Sequence, residues 1–140
     1  MADKSLAPTD EITVSILSDA DIVTARQEGR ALALLMGFSS TEATLVATSI
    51  SELARNIILY AKQGELVLGV AEDGGKRGIA VVARDEGPGI PDVRRAMLGG
   101  YSTSGGLGLG LPGVKRLMDE FEITSEPGKG TTVKVKKWRR

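Results

Sequence analysis

The fold of this chain is decided by the stretch Arg84-Asp85-Glu86-Gly87-Pro88-Gly89-Ile90-Pro91. It follows a β-rich run and opens a turn with two closely spaced glycines, Gly87 and Gly89. Because glycine has no Cβ, the backbone of such a turn can approach a flat ligand closely. Asp85 ends the predicted strand, where its carboxylate can accept a hydrogen bond from an exocyclic amine such as N6 of adenine. An Asp before Gly-Pro-Gly is also a common turn former, so Asp85 alone leaves both interpretations open.

Upstream of this turn, Glu52 and Asn56 lie in a run whose apolar side chains recur at helical spacing. Side chains at i and i+4 stand one above the other on a helix, here at the border between the apolar stripe and solvent. A carboxylate there can accept a proton or orient a nucleophile, and an amide oxygen beside it can ligate Mg²⁺. These two residues alone favour the alternative, a solvated helix face.

Downstream, the glycine-rich loop Gly105-Gly106-Leu107-Gly108-Leu109-Gly110 precedes another predicted helix. The start of a helix presents backbone N–H groups and a positive dipole end to phosphate. No Gly-Lys-Ser/Thr follows the loop, so it is not a P-loop, and the missing parallel βαβ pattern excludes a Rossmann site. By itself the loop is equally a flexible linker. The preceding hydroxyl-rich residues 101–104 suit a lid over a ligand.

Composition removes several classes of function. The 140 residues include 18 Lys and Arg against 18 Asp and Glu, so no global field favours nucleic acid or membrane. There is no cysteine and no histidine, which excludes thiolate chemistry, a Ser-His pair and a phosphorylatable histidine. No signal-peptide pattern is present, and no apolar run approaches the ~20 residues that span a bilayer. We therefore expect a cytoplasmic protein that binds neither nucleic acid nor membrane.

The apolar patterning predicts one α+β domain over residues 11–140, after a flexible N-terminal leader at residues 1–10. The predicted strands cover residues 11–17, 65–71, 79–85, 121–125 and 131–138, and the predicted helices cover residues 18–36, 41–61, 92–98 and 111–120. Residues 72–78 are predicted to form a longer, flexible hairpin loop. We expect a two-layer sandwich, with helices packed on one face of a mainly antiparallel mixed sheet.

In their order along the chain, four motifs resemble those of the Bergerat ATP-binding fold (the GHKL family), shared by DNA gyrase, Hsp90-type chaperones, histidine kinases and MutL. The motifs are Glu52-x-x-x-Asn56, Asp85-x-Gly87-x-Gly89, Gly106-x-Gly108-x-Gly110 and Gly130-Thr131. Residues 50–56, 100–108 and 111–121 are similar to the anti-sigma-type serine/threonine kinases, and most of all to the stressosome switch kinases. The resemblance covers nearly the whole chain from Glu11 and implies an ATP-dependent protein kinase.

At the phosphate end of the site, the resemblance implies that Asn56 holds Mg²⁺ bridging the ATP phosphates. Glu52 would be the base or orienting group for the attacking hydroxyl. Gly106, Gly108 and Gly110 would cradle phosphate within the lid.

At the adenine end, the resemblance implies that Asp85 binds the adenine amine. Gly87 and Gly89 would let the base approach, and Ile90 would pack on it. Thr131 would support the Asp85 end of the pocket.

The acceptor in this family is a serine or threonine of a STAS-domain antagonist protein. The released kinase activates a PP2C-type phosphatase in a stress-response partner-switching pathway, with a large stressosome assembly as a further partner. The alternative function is a non-catalytic docking module that binds nucleotide and acts as a regulatory switch.

The lid departs from the pattern of many relatives, because residues 101–110 contain no basic residue. Phosphoryl transfer needs positive charge on the γ-phosphate. Arg55, Lys62 and Lys115 are candidates for that charge, and spacing does not select among them.

Overall fold

The computed structural model describes residues 11–90, 97 and 110–139. In chain order the elements are β1 (Glu11–Ile16), α1 (Asp19–Leu35), α2 (Ser40–Ala61), β2 (Gly64–Asp73), β3 (Lys76–Asp85), α3 (Gly110–Leu117), β4 (Glu120–Glu126) and β5 (Gly130–Trp138). The predicted leader at residues 1–10, all but residue 97 of the predicted helix at 92–98, and the glycines Gly106 and Gly108 lie outside the described residues.

The five strands form one sheet in the order β1-β2-β3-β5-β4. Each of the four described pairings is antiparallel. The β3–β5 register sets Asp85 opposite Thr131, so two predicted site residues that are far apart in the chain become neighbours. The predicted α+β sandwich is confirmed.

The helices cover one face of this sheet. The α2 stripe Val46, Ile50, Leu53 and Ile57 is buried, as its 3.6-residue period predicts. Helix α1 crosses α2 so closely at Gly29 that a Cβ there would overlap the Ile50 side chain. Within residues 11–90 and 110–139, none of the helices combines the length and apolar character needed to cross a membrane. The helical layer thus places the polar edge of α2 beside the ends of β3 and β5.

The hairpin between β2 and β3 differs from the prediction, because the long flexible loop at residues 72–78 is wrong. The two strands continue to a two-residue turn, Gly74-Gly75, whose φ angles are +57° and +88°. Two central residues with positive φ make the turn that matches the twist of a β-hairpin. Opposite charges pair across the strands next to it, Glu72 with Arg77 and Asp73 with Lys76, and favour the extended register.

Candidate functional site

A cleft opens between α2, the end of β3 and the start of α3. Ten of the described residues line it: Leu53, Asn56, Ile57, Tyr60, Ala83, Asp85, Ile90, Leu111, Thr131 and Val133. Mostly apolar walls with a few polar groups are typical of pockets that bind a small organic molecule. Four of the predicted site residues, Asn56, Asp85, Ile90 and Thr131, therefore meet in one place.

The carboxylate of Asp85 is held in a fixed orientation at the cleft wall. Its Oδ1 accepts hydrogen bonds from the backbone N–H of Gly87 at 2.9 Å and of Thr131 at 3.3 Å. Burial raises the pKa of Asp85 above its ordinary value, and the two N–H bonds oppose that rise. Because both donors use Oδ1, Oδ2 is suited to accept a hydrogen bond from an N–H group of a ligand in the cleft.

The glycines of the turn are required by the packing of the chain itself. A Cβ on Gly87 would lie 2.7 Å from Cα of Ala61, at the end of α2. Gly89 has a φ of +83°, and a Cβ there would lie 2.6 Å from the carbonyl oxygen of Glu126. These approaches hold the turn against α2 and the β4–β5 connection. The role of both glycines toward a flat base stays a prediction.

Ser125, which sequence reasoning missed, ties two walls of the cleft together. Its Oγ accepts a hydrogen bond from the backbone N–H of Ile90 at 2.8 Å and lies 2.8 Å from Oγ1 of Thr131. On β4 it occupies the inward position that follows Phe121 and Ile123 in the period-2 alternation. The sequence signal for this role was a polar residue at a position of the predicted strand that the alternation turns inward.

Glu52 lies beyond the cleft lining, where its carboxylate joins α2 to α3. The residue is 4% exposed. Its Oε2 accepts a hydrogen bond from Nη1 of Arg55 at 2.8 Å, and its Oε1 accepts one from the backbone N–H of Gly110 at 3.2 Å. Gly110 begins α3 with a φ of +53°. A carboxylate at this point also interacts favourably with the N-terminal end of the helix dipole. The role of Gly110 toward phosphate stays a prediction.

Asn56 lies one helical turn after Glu52 and lines the cleft. Its Nδ2 is buried and has no hydrogen-bond partner among the described residues. Because the two ends of an amide are assigned from their surroundings, this side chain can present either its oxygen or its nitrogen to a ligand. In the described ranges no group of three or more acidic side chains is placed to hold a metal ion. A divalent cation here would depend on Asn56 together with oxygens of the ligand.

The three cations considered for the γ-phosphate are not among the residues that line the cleft. The guanidinium of Arg55 is paired with Glu52. Lys62 ends α2 in a left-handed conformation and is exposed, and Lys115 is exposed on α3. Among the described residues, Arg55 is thus the one of these three cations that forms a salt bridge with a predicted site residue.

Comparison with known proteins assigns the chain to the family that its motifs resemble. Residues 41–139 match the model of the histidine kinase-, DNA gyrase B-, and HSP90-like ATPase family. The serine/threonine-protein kinase RsbT of Bacillus subtilis (strain 168) is 52% identical over 131 residues, covering 94% of this chain and 98% of that protein. The anti-sigma F factor of Thermoanaerobacter sp. (strain X514) is 34% identical over 99 residues, covering 66% of this chain and 68% of that protein.

Two solved structures share the fold. The RsbU and RsbW domains of Rv1364c from Mycobacterium tuberculosis superpose with a TM-score of 0.62 at 19% identity, over 96% of this chain and 34% of that longer chain. The histidine kinase domain of the blue-light activated histidine kinase EL346 from Erythrobacter litoralis superposes with a TM-score of 0.50 at 20% identity, over 84% of this chain and 59% of that chain.

Proposed function

Because the chain belongs to the family of histidine kinase-, DNA gyrase B- and HSP90-like ATPases, and within it to the group of the serine/threonine-protein kinase RsbT, we propose that it phosphorylates a STAS-domain antagonist protein. The γ-phosphate of ATP would pass to a serine or threonine hydroxyl of that partner. The observation that carries the proposal is the cleft that joins the fixed carboxylate of Asp85 to Asn56, whose buried Nδ2 has no hydrogen-bond partner among the described residues.

The adenine base occupies the Asp85 end of the cleft in this proposal. Oδ2 of Asp85 accepts a hydrogen bond from the N6 amine, because Oδ1 is already used by two backbone N–H groups. Ile90 is 4% exposed and supplies an apolar wall against which a flat base can pack. Thr131 and Ser125 hold this end of the cleft in shape.

The triphosphate extends toward Asn56 and the start of α3. Mg²⁺, when bound, neutralises charge on the phosphate oxygens. The amide oxygen of Asn56 suits such an ion, since a hard cation prefers oxygen ligands and Asn56 lines the cleft. Backbone N–H groups of Gly106 and Gly108 would hold the phosphates in the proposal, and Gly110, whose own N–H is bonded to Glu52, would let the chain approach them closely.

Glu52 is the proposed base or orienting group for the attacking hydroxyl. It is the carboxylate one helical turn before Asn56, so its distance from Asn56 is set by the helix itself. Each oxygen of a carboxylate has two acceptor positions. Glu52 therefore keeps capacity for a substrate hydroxyl beside its bonds to Arg55 and Gly110.

The same proposal includes the regulatory partners. After the antagonist is phosphorylated, the kinase is released and activates a PP2C-type phosphatase, in a partner-switching response to stress that involves a stressosome assembly. The curated relatives support this placement, since one is a serine/threonine-protein kinase and another is an anti-sigma factor. A cytoplasmic location belongs to the proposal, because ATP and these partners are found there.

The test is transfer of labelled phosphate to the partner. The protein is incubated with Mg-ATP carrying a labelled γ-phosphate and with a STAS-domain antagonist protein of the same organism. We expect label on the partner with the wild type and none with Asn56→Ala. ATP binding by the wild type without any label on the partner would reject the kinase function.

That second outcome would favour the alternative function, a docking module for which nucleotide is a regulatory ligand. One observation supports this alternative, because none of Arg55, Lys62 and Lys115, the candidates for charge on the γ-phosphate, lines the cleft. A module of this kind would change its affinity for the phosphatase or the antagonist when ATP binds, with no phosphate transferred.

A further inference from the structure

Arg55 contacts the proposed base directly, and the proposed function gives it no role. Nη1 of Arg55 lies 2.8 Å from Oε2 of Glu52. We propose that Arg55 is a positioning residue for phosphoryl transfer, which fixes the orientation of the Glu52 carboxylate and compensates its charge. This inference rests on the proposed kinase function.

Two donors reach different oxygens of the Glu52 carboxylate and together fix its orientation. Arg55 holds Oε2 from within α2, and the Gly110 N–H holds Oε1 from the start of α3. With a single anchor, the carboxylate of a glutamate turns easily about its last side-chain bond, because that torsion has only broad minima. Two anchors on separate elements remove this freedom, and the remaining acceptor position of each oxygen then points in a fixed direction.

The negative charge of Glu52 needs a compensating cation because the side chain is buried. The side chain of Glu52 is 5% exposed, whereas that of Arg55 is 31% exposed. A buried carboxylate without a compensating cation is strongly destabilised relative to one in water. Among the described residues, Arg55 is the one cation in a salt bridge with Glu52, and the i, i+3 spacing builds the pair into the helix.

The position of Arg55 separates this role from direct contact with phosphate. Its guanidinium is used by Glu52, and the residue also lines an open groove between α1 and α2, together with Ile22, Val23 and Leu59. A small cation in solution can therefore reach the place that the guanidinium would leave.

The test compares Arg55→Ala, Arg55→Lys and wild type in phosphoryl transfer to the STAS partner, with ATP affinity and the thermal midpoint measured on each. We expect kcat of Arg55→Ala to fall about 10- to 100-fold, the size of a misplaced reacting group, while KM for ATP stays within about twofold. Arg55→Lys should recover part of kcat, because an ammonium donates one bond. Added guanidinium ion should raise kcat of Arg55→Ala but not of Glu52→Gln/Arg55→Ala.

The matched control is Arg77→Ala. Arg77 also pairs with a glutamate, Glu72 at 3.4 Å, but the pair lies at the far end of the β2–β3 hairpin and is more exposed. Its kcat should equal that of wild type, with or without guanidinium. If Arg55→Ala fails to fold, Arg55→Lys and Arg55→Gln carry the test, since both keep the methylene stem and differ in charge.

Three results would overturn the positioning role: an unchanged kcat in Arg55→Ala, no response of that variant to guanidinium, or an equal response in the Glu52→Gln background. These outcomes differ from failure of the proposed function. Absence of transfer by the wild type would reject the kinase activity itself. Normal transfer by the wild type and by Arg55→Ala, together with loss in Glu52→Gln, would reject only the role of Arg55.

Discussion

Replacing Asp85 with asparagine exchanges a carboxylate for an amide of nearly the same shape, and the structure predicts which way the amide turns. The N–H groups of Gly87 and Thr131 both donate to Oδ1 of Asp85. In Asp85→Asn the amide oxygen must stay there, because an NH₂ group in that position would face two donors. Nδ2 then occupies the position of Oδ2 and meets the N6 amine of adenine donor to donor.

The expected loss of affinity follows from these contacts. A hydrogen bond to a charged group contributes about 1.5–3 kcal/mol, and an unpaired donor in a buried place costs about 1–3 kcal/mol. Asp85 is half-buried, so we take the lower part of the sum, about 3 kcal/mol. That corresponds to roughly 100-fold weaker binding of ATP.

The assay is calorimetric titration of Mg-ATP into wild type, Asp85→Asn and the control Glu86→Gln. Glu86 carries the same charge in the same turn but is exposed, so its variant should bind ATP as the wild type does. A change in affinity below about threefold in Asp85→Asn, with the fold intact, would refute the assignment of Asp85 to the adenine amine.

The Asp85 carboxyl also makes the stability of the folded protein depend on pH. Burial raises the pKa of Asp85 above 3.8, against the opposing bonds from Gly87 and Thr131. The folded chain therefore holds this proton more tightly than the unfolded chain does. Its contribution to the free energy of unfolding is fully present below 3.8 and is lost as the pH rises through the higher folded pKa.

At neutral pH the buried charge lowers stability, so Asp85→Asn should melt at a higher temperature than the wild type. The difference should shrink as the pH is lowered from neutral toward 3.8, the ordinary pKa of the group, which scanning calorimetry measures. A difference that stays constant over this range would contradict the linkage.

Three further variants and one control test the cleft. Gly87→Ala sets a Cβ 2.7 Å from Cα of Ala61 and should cost about 2–3 kcal/mol in thermal denaturation, the upper part of the range for an overpacked site. Gly128→Ala meets nothing within 4 Å and should cost about 1 kcal/mol through its φ of +77° alone; equal losses would contradict the close contact at Gly87. Ser125→Ala removes a hydrogen bond from the backbone of Ile90 and should weaken ATP binding up to about tenfold, whereas unchanged affinity would remove Ser125 from the site. Asn56→Ala should make ATP affinity the same in Mg²⁺ and in EDTA, and a retained Mg²⁺ dependence would exclude Asn56 as a ligand.

Local patterns in the sequence were sufficient for the three helices among the described residues. The α2 stripe from Val46 to Ile57 has a 3.6-residue period over about three turns, and its residues are buried where the period places them. The Gly74-Gly75 turn was missed because charged Glu72, Asp73, Lys76 and Arg77 are poor strand formers. Cross-strand pairing of their opposite charges overrides that preference.

The candidate site depends more on long-range contacts. Thr131 bonds to Asp85 across 46 positions of sequence, and Gly110 bonds to Glu52 across 58. Residues so far apart in the sequence are brought together by strand register and helix packing, which no local pattern specifies. The Glu52–Arg55 pair could be read from its i, i+3 spacing, because those side chains are neighbours on any helix. The importance of this pair for the site follows from the burial of Glu52, which the spacing alone does not show.

Mass spectrometry of the STAS-domain partner, after incubation with Mg-ATP and catalytic amounts of this protein, tests the proposed kinase activity. We expect that one serine or threonine of the partner gains a phosphate, and that Glu52→Gln leaves the partner unmodified although it still binds ATP. A partner that stays unmodified with the wild type would reject the kinase activity, and one that Glu52→Gln modifies as fast as the wild type does would reject Glu52 as the base.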